Sequence, residues 1–345
     1  MRLLSLFNNI NRLMYYCRVR LKYLTIKKLI NLILTEYFYF KKQIFLKSYP
    51  YELIIDPTNA CQLKCPICYT GRNKSGREKG VMKFSPFKEI IDELSPYALH
   101  VFLHNWGEPF LHKEILKFIH YAHNANLATT ISSNLSFPLK NNQIEEIIDS
   151  GLDTLVISAD GITPGVYGEY RIGGNFEQVL ANIKLLAQKK REKKSKTPHL
   201  EWQFLVMRHN EHQIAKVEKF AKGLGINSVV LGNICFLHNE TDLKIIEKWL
   251  PTNKSFVNKK WHDKCDNLIK GCWWLWRAVV INWDGRVTPC CYLDNSTSDF
   301  ASFNRPFKDI WNNSYYTSAR NLFTKRKINS TINTICNNCN AATQL

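Results

Sequence analysis

The sequence predicts an α/β protein built on a parallel β-sheet, because short apolar runs alternate with segments of helical periodicity over most of its length. The chain has 345 residues, of which 45% are hydrophobic and 12% aromatic. This is enough to bury a sizeable core and too much for a disordered chain. Right-handed crossovers between the strands would make the sheet either doubly wound or curved into a partial barrel. In both forms the active site lies at the carboxyl ends of the strands.

Strands and helices are predicted in alternating order from residue 51 to residue 233. Short apolar runs bounded by polar or turn residues indicate the strands, and apolar residues three or four apart indicate the helices. The predicted strands are Tyr51–Asp56, Leu99–His104, Leu127–Ser132, Thr154–Ala159, Leu200–Met207 and Asn227–Asn233. The predicted helices are Pro86–Leu94, Lys113–Asn124, Gln143–Ser150, Phe176–Lys190 and Glu211–Leu224.

Residues 1–48 are predicted to form a basic amphipathic segment ahead of this core. Residues 1–50 contain ten Lys or Arg and a single acid, Glu36, so they carry a net +9 of the chain's +18. Apolar residues recur between these charges at roughly helical spacing, and no apolar run approaches the ~18 residues that span a bilayer. Such a segment either lies on an anionic membrane surface or docks its apolar face on the body of the protein. The sequence leaves both alternatives open.

The use of cysteine favours a cytoplasmic protein, peripheral at the inner membrane face if the first segment binds lipid. Eleven cysteines are too sparse for a small disulfide scaffold, and the first residues lack the features of a secretory signal. Clustered cysteines in a reducing compartment indicate metal or redox chemistry.

The strongest motif is a group of three cysteines directly after the first predicted strand. Cys61, Cys65 and Cys68 have the spacing C-x3-C-x2-C. Three thiolates on a tight loop can hold three irons of a four-iron cubane and leave one iron open to a further ligand. A structural zinc site is the alternative, but zinc prefers four closed ligands, and no His or Cys follows within the next thirty residues.

On this cysteine loop the sequence resembles the radical S-adenosylmethionine (radical SAM) superfamily, from about Tyr51 to the C-terminus. The resemblance implies a partial (β/α)6 barrel with a [4Fe-4S] cluster at the three cysteines. It implies that the reduced cluster cleaves S-adenosylmethionine to a 5′-deoxyadenosyl radical, which abstracts hydrogen from a substrate carbon. It also implies an electron donor such as flavodoxin or ferredoxin.

Motifs at the ends of the predicted strands extend the resemblance to the binding site for S-adenosylmethionine. Residues 106–109 look like the family's GGEP-type motif, whose backbone and acid hold the methionine amino group. Polar residues after the next two strands would contact the ribose and the methionyl carboxylate, Arg171 would pair with that carboxylate, and Gly232 would lie near adenine. The implied cofactor-binding residues are Trp106, Gly107, Glu108, Asn134, Ser158, Asp160, Arg171 and Gly232.

The sequence departs from the family pattern at two of these positions. Trp106 replaces the first glycine of the GGEP-type motif, and Ile67 stands where the family usually has an aromatic residue that contacts adenine. Among the histidines, His104 is singled out because it ends the second predicted strand, two residues before the motif.

A second group of cysteines lies in a C-terminal domain predicted over residues 255–345. The stretch 279–287 has the pattern of a β-hairpin with Asp-Gly at its turn, and residues 310–322 that of a helix. By spacing alone, the thiolates could bind zinc or an iron-sulfur cluster. The pattern C-x12-G-x4-C resembles the opening of the SPASM domain, in a shortened twitch form with one auxiliary [4Fe-4S] cluster. Its implied ligands are Cys272, Cys290, Cys336 and Cys339, with Cys265 and Cys291 as alternates.

Together these patterns predict a radical SAM oxidoreductase with its core at residues 49–240. Twitch-type enzymes point to the oxidation of a sugar, cyclitol or related metabolite, whereas SPASM enzymes point to modification of a ribosomally made peptide. The peptide alternative requires a peptide-docking domain, and the first 50 residues lack the expected strand and wing-helix pattern. A zinc-stabilised binding or scaffold protein is a remoter alternative. Nucleic acid is not an expected partner.

Overall fold

The structure is a computed structural model that describes residues 2–234, 243–253, 255–256, 272–324 and 332–339. Cys235 and Cys265 lie outside these residues. The strands are β1 (Glu52–Ile55), β2 (His100–Phe102), β3 (Ala128–Ser133), β4 (Thr154–Ser158), β5 (His199–Val206), β6 (Ser228–Asn233), β7 (Ala278–Ile281), β8 (Arg286–Thr288) and β9 (Ala301–Ser302).

Helices follow most of the strands, as the alternating pattern predicts. They are α1 (Arg2–Lys22), α2 (Ile26–Phe40), α3 (Phe84–Leu94), α4 (Ile115–Asn124), α5 (Asn141–Asp149), α6 (Pro164–Tyr170), α7 (Phe176–Glu192), α8 (Ile214–Gly223), α9 (Leu243–Trp249), α10 (Trp274–Arg277), α11 (Phe307–Trp311) and α12 (Ser314–Asn321). The short helix α6 has no counterpart among the predicted helices.

The nine strands form one sheet in the order β6-β5-β4-β3-β2-β1-β7-β8-β9, and β1 to β6 run parallel. The six predicted strands are all present, with bounds within two residues of those expected. The sheet is curved and unclosed, which confirms the expected partial barrel. On β1, Leu53 and Ile55 pack in the main core toward the helices, whereas Ile54 contacts Val280 on the other face. Neighbouring residues of each strand therefore line the outside and the inside of the barrel in turn.

The C-terminal hairpin extends this sheet, which the sequence does not predict. Strand β7 lies beside β1 in parallel register, with Glu52 opposite Ala278, and β8 returns antiparallel to β7. The single helix expected over residues 310–322 is instead two helices, α11 and α12. The break is explained by Asn313, whose side chain accepts a hydrogen bond from Tyr316 N at 2.9 Å and caps α12.

The two N-terminal helices close the base of the barrel, where the amino ends of the strands lie, and they do so through polar side chains. Arg12 Nε donates to Glu201 Oε2 at 2.9 Å, and Arg20 pairs with Glu52. Both helices are docked on the body of the protein, one of the two alternatives that the sequence leaves open, but the face that α2 buries is largely polar rather than apolar. The base of the barrel presents buried carboxylates, and buried charges require partners. Within the described ranges, no helix is both long enough and apolar enough to cross a bilayer.

Replacing Arg20 with Ala is expected to lower the free energy of unfolding by about 2 kcal/mol, because the buried Glu52 carboxylate loses its cation. Burial already raises the pKa of Glu52 and Arg20 lowers it, so the variant raises that pKa further. A carboxyl group with a raised pKa destabilises the fold as the pH rises through that pKa. The loss of unfolding free energy in the Arg20→Ala variant should therefore be smaller at about pH 5 than at about pH 8. Urea unfolding followed by circular dichroism measures both effects.

Arg18 provides the matched control, because it is an exposed arginine on the same helix. Replacing Arg18 with Ala should change the unfolding free energy by less than about 0.5 kcal/mol. The double variant R20A/E52Q should regain stability relative to R20A. Equal losses of unfolding free energy in R20A and R18A would contradict a stabilising role for the Arg20–Glu52 pair at the base of the barrel.

Candidate functional site

The cysteine loop begins where β1 ends and is held by backbone hydrogen bonds. Cys68 N donates to the Cys65 carbonyl at 3.2 Å and Arg72 N to the Cys68 carbonyl at 2.9 Å, which folds the loop into a tight turn. Lys64 N donates to the Ile172 carbonyl at 2.9 Å and fastens the loop to the segment after α6. The loop backbone is thus fixed on both sides.

The three thiols of this loop pack in one largely apolar cluster, with Arg171 beside Cys65 and Asn134 beside Cys61. Cys61, Cys65 and Cys68 belong to a cluster built around Leu63 and Ile67. Burial raises the pKa of Cys61 to about 12 and that of Cys65 to about 11, with neighbouring thiols as a smaller cause. Thiolates are costly here without a cation, and a bound iron-sulfur cluster relieves that cost.

The donor set suits three corners of a four-iron cubane, since three thiols stand on one loop in a largely apolar cluster. Among the residues that the structure describes, no three His, Cys, Asp or Glu side chains converge to hold one metal ion. Ile67, which stands where the family usually has an aromatic residue, is buried and packs in the same cluster as Leu63.

The loop after β2 packs directly on the cysteine loop. A Cβ atom at Gly107 would lie 1.9 Å from the Thr58 carbonyl oxygen and 2.8 Å from that of Ala60. Only glycine permits so close an approach of two backbones. Beside it, Glu108 N donates to the Ala60 carbonyl at 2.8 Å, and the Trp106 ring lies roughly parallel to that of Tyr69 at 6.2 Å. The predicted motif and the cysteine loop are therefore one assembly.

Asp56 holds this assembly from below and was missed by the sequence analysis. Its carboxylate is fully buried and accepts a hydrogen bond from Trp106 N at 3.3 Å. Burial raises the pKa of Asp56 to about 7, and hydrogen bonds from the backbone of Trp106, Gly107 and Asn105 oppose the shift. The available signal was an acid at the carboxyl end of an otherwise apolar strand, just ahead of the cysteines.

Glu108 is held by three hydrogen bonds from neighbouring protein groups. Its carboxylate accepts hydrogen bonds from Ser133 Oγ and Asn134 N, both at 2.8 Å, and from Phe110 N at 3.2 Å. Burial raises the pKa of Glu108 to about 7. These hydrogen bonds fix the end of β3 to the loop after β2. The expected contact of Glu108 with the amino group of the cofactor stays a prediction.

Asp160 and Arg171 also bind each other instead of facing open space separately. Arg171 Nε and Nη2 donate to Asp160 Oδ2 at 2.7 and 2.6 Å, and Leu205 N donates to Asp160 Oδ1 at 2.8 Å. Both oxygens of Asp160 thus have protein partners, and the contact of its carboxylate with the cofactor stays a prediction. Arg171 lies beside Cys65 and lowers the pKa of that thiol, so its charge faces the cysteine loop.

Polar side chains line the inside of the barrel at its carboxyl end. Ser132 N donates to His104 Nδ1 at 3.1 Å, and the hydroxyls of Ser132 and Ser158 lie 3.0 Å apart. Ser158 Oγ donates to Gln203 Oε1 at 3.4 Å. Burial lowers the pKa of His104 to about 4, so the imidazole is neutral. Gln203 was missed, although polar residues alternate with apolar ones along its strand.

The remaining predicted residues lie on opposite sides of this opening. Asn134 Nδ2 lies 3.9 Å from Cys61 Sγ, and Gln62 Nε2 donates to Asn134 Oδ1 at 2.9 Å. Gly232 lies on β6, where it pairs with Leu205. The structure therefore brings Asn134 to the cysteine loop and leaves Gly232 at the far edge of the sheet.

The cysteines of the C-terminal domain come from three separate stretches of chain, which contain Cys272, Cys290 and the pair Cys336 and Cys339. Burial raises the pKa of Cys290, and Cys272 and Cys336 are among the thiols that raise it further. Burial likewise raises the pKa of Cys336, with contributions from Cys272 and Cys339. Cys290 and Cys336 thus each lie near Cys272. Because no three thiols of the described residues converge to hold one metal ion, the shared ligand set of four cysteines stays a prediction.

Cys291 has surroundings different from those of its neighbour Cys290. It packs against the cluster of Ile54, Ala278 and Val280 inside the barrel. The chain bends and turns at these two residues after β8 ends at Thr288.

A buried arginine joins the two cysteine-bearing parts of the chain. Arg77 follows the cysteine loop and pairs with both Asp284 and Asp299 of the C-terminal hairpin region. Trp283 Nε1 donates to the Glu78 carbonyl at 3.0 Å. The segment after the cysteine loop is therefore fixed to the turn of the hairpin.

Comparison with known proteins agrees with this arrangement. Residues 55–221 match the family model of the radical SAM superfamily, and residues 272–340 match that of SPASM, an iron-sulfur cluster-binding domain. The tungsten-containing aldehyde ferredoxin oxidoreductase cofactor-modifying protein of Pyrococcus furiosus is 23% identical over 259 residues, 69% of this chain and 70% of that protein. A probable GTP 3′,8-cyclase of Methanococcus maripaludis is 24% identical over 277 residues, 73% of this chain and 89% of that protein.

Solved structures share the fold. Streptococcus suis SuiB bound to S-adenosylmethionine superimposes with a TM-score of 0.64 at 19% identity, covering 84% of this chain and 71% of that one. Native anSMEcpe with bound AdoMet gives a TM-score of 0.56 at 14% identity, covering 80% of this chain and 84% of that one. With its three-cysteine loop at the end of β1 and its second cysteine group after the barrel, the chain belongs to the radical SAM superfamily and carries a SPASM-type auxiliary iron-sulfur domain.

Proposed function

We propose that this radical SAM enzyme oxidises a sugar, cyclitol or related metabolite at a carbon that bears a hydroxyl group. The observation that carries the proposal is the polar lining of the barrel opening, formed by His104, Ser132, Ser158 and Gln203. Hydroxyl and amide groups on neighbouring strands can exchange hydrogen bonds with several hydroxyls of a small polar substrate. The names of two curated relatives also point to small-molecule chemistry, one of them a probable GTP 3′,8-cyclase.

The cofactors of the two domains are [4Fe-4S] clusters and S-adenosylmethionine. When bound, they supply a radical that removes a hydrogen atom from the substrate and an acceptor for the electron that oxidation must also remove. We assign the first cluster to Cys61, Cys65 and Cys68. We assign the auxiliary cluster to Cys272, Cys290, Cys336 and Cys339, which leaves Cys291 outside the ligand set.

The other site residues are proposed to orient and shield rather than react. Arg171 presents its charge beside Cys65, where it suits the carboxylate of a bound amino acid group. The backbone of Trp106 and Gly107 forms the wall against which the amino group would lie. Asp56 and Glu108 hold that wall in place from buried positions. Asn134 is close enough to Cys61 to contact a cofactor bound at the open iron.

Modification of a ribosomally made peptide is the second candidate. SuiB has been solved with its precursor peptide SuiA, at a TM-score of 0.59, and anSMEcpe with a Cp18Cys peptide, at 0.53. This likeness is one of fold, at 18% and 14% identity. Against it, residues 2–50 form α1 and α2 and contain no strand, so they do not provide the expected peptide-docking domain. We further propose a flavodoxin or ferredoxin as electron donor.

A substrate panel tests the proposal directly. Anaerobic enzyme with S-adenosylmethionine and dithionite should form more 5′-deoxyadenosine with a particular sugar or cyclitol than without substrate. Deuterium placed on the carbinol carbon should be transferred into that product, which mass spectrometry detects. Stimulation by linear peptides, with none by any polyol, would overturn the metabolite assignment.

The variant C61A/C65A/C68A should lose about half of roughly eight irons per chain and all S-adenosylmethionine cleavage, since each four-iron cluster depends on its own thiolates. Iron analysis and chromatography of 5′-deoxyadenosine measure the two losses. C291A is the matched control and should keep both the iron and the cleavage. Cleavage by the triple variant would contradict the assignment of the first cluster.

The variant C336A/C339A separates the role of the auxiliary cluster from that of the first. It should retain one cluster and form 5′-deoxyadenosine, while the oxidised product disappears, because no acceptor takes the second electron. Product analysis after a single turnover measures this, with circular dichroism to verify the fold. A normal yield of oxidised product would leave the auxiliary cluster with a structural role only.

A further inference from the structure

Helix α2 is amphipathic, but the face that it buries against the barrel is largely polar. Lys28 Nζ donates to the Asn126 carbonyl, and Asn31 Nδ2 donates to the carbonyls of Tyr49 and Tyr97 at 3.0 and 3.1 Å. Thr35 lies on the same face and is fully buried. Hydrogen bonds to backbone groups therefore hold most of the helix, and near its C-terminal end Tyr39 packs into the main core against Trp276.

The apolar residues of α2 consequently point away from the protein. They follow one another at intervals of three or four residues and form a continuous stripe along the helix. Ile26 is 80% exposed, Ile33 60% and Phe40 73%. We call this surface the apolar stripe; its members are Ile26, Leu29, Ile30, Ile33, Leu34, Tyr37 and Phe40. A contiguous exposed patch of this kind marks an interaction surface, unlike single scattered residues.

The charges around the apolar stripe are positive. Lys27, Lys41 and Lys47 are exposed beside it, and a shallow groove of about 400 Å³ runs between Lys27, Lys47 and the stripe. Glu36, the single acid of the first fifty residues, is occupied by Arg277 and by the Tyr51 hydroxyl. The lysines beside the stripe are therefore exposed, whereas the negative charge of Glu36 is already neutralised by Arg277.

The apolar stripe lies at the base of the barrel, opposite the site. The groups that α2 binds, on Tyr49, Tyr97 and Asn126, directly precede β1, β2 and β3. The cysteine loop and the polar lining follow the carboxyl ends of the same strands. A surface bound at the stripe would leave the opening of the barrel free.

We propose that the apolar stripe and its lysines bind the surface of an anionic lipid bilayer. Aromatic and aliphatic side chains enter the interface between headgroups and acyl chains, while lysines beside them neutralise anionic headgroups. A second copy of this chain is the less suitable occupant, because a symmetric contact through the stripe would bring the same lysines together. The substrate then reaches the barrel from the side that faces away from the bilayer.

Sedimentation with vesicles tests this proposal on the full chain. Vesicles of phosphatidylcholine alone should bind little protein, whereas vesicles with roughly one third phosphatidylglycerol should bind it, and salt should weaken the binding. K27Q/K41Q/K47Q should reduce partitioning on the order of a hundredfold, at about fivefold per lysine. I30S/I33S should reduce it at least about tenfold.

The controls keep the result interpretable. L111S removes an equally accessible leucine beyond β2, at the other end of the barrel, and should bind vesicles as the unchanged protein does. Circular dichroism of I30S/I33S should match the unchanged protein, because both residues are exposed. Equal binding to both vesicle types, or binding to neither, overturns the proposal. A lipid-independent dimer that I30S/I33S abolishes, seen by analytical ultracentrifugation, overturns it in favour of a second copy.

Discussion

The close contact between Gly107 and the cysteine loop fixes the geometry on which the rest of the site depends. Two backbones meet there without a side chain between them, since a Cβ at Gly107 would overlap the Thr58 carbonyl. From this contact, hydrogen bonds run down to Asp56 at the end of β1 and across through Glu108 to the end of β3. The ends of three adjacent strands are thereby locked together by buried acids, and the barrel can present the cysteine loop in one position.

The parallel pairing of β7 with β1 decides where the second cysteine group lies. Cys272 precedes α10 and β7, and Cys290 follows the antiparallel β8, so both lie toward the base of the barrel. The cysteine loop leaves β1 at the opposite end. The two groups therefore leave the sheet at opposite ends of neighbouring strands.

Much of this architecture could be predicted from sequence, because local patterns encode it. The alternation of strands and helices predicts the barrel, and thiol spacing predicts the cysteine loop that follows β1. Pairing between distant segments is not local: an Asp-Gly hairpin predicts its own turn but not that β7 lies beside β1. Similarly, the family pattern marks Asp160 and Glu108 as polar residues at strand ends. Their partners, Arg171 and Ser133, become apparent only when neighbouring strands are placed side by side.

The N-terminal helices show why hydrophobic periodicity alone gave the wrong docking face. Periodicity predicts that an amphipathic helix buries its apolar side when its partner is apolar. The base of this barrel instead offers the carboxylates of Glu52 and Glu201 and the free carbonyls ahead of the strands. Arg20, Arg12 and Lys28 satisfy these groups. Half of the chain's net positive charge lies in this segment, and part of it thus balances buried acids. The same arrangement turns the apolar stripe and the remaining lysines outward, so radical chemistry and surface contact belong to opposite ends of one barrel.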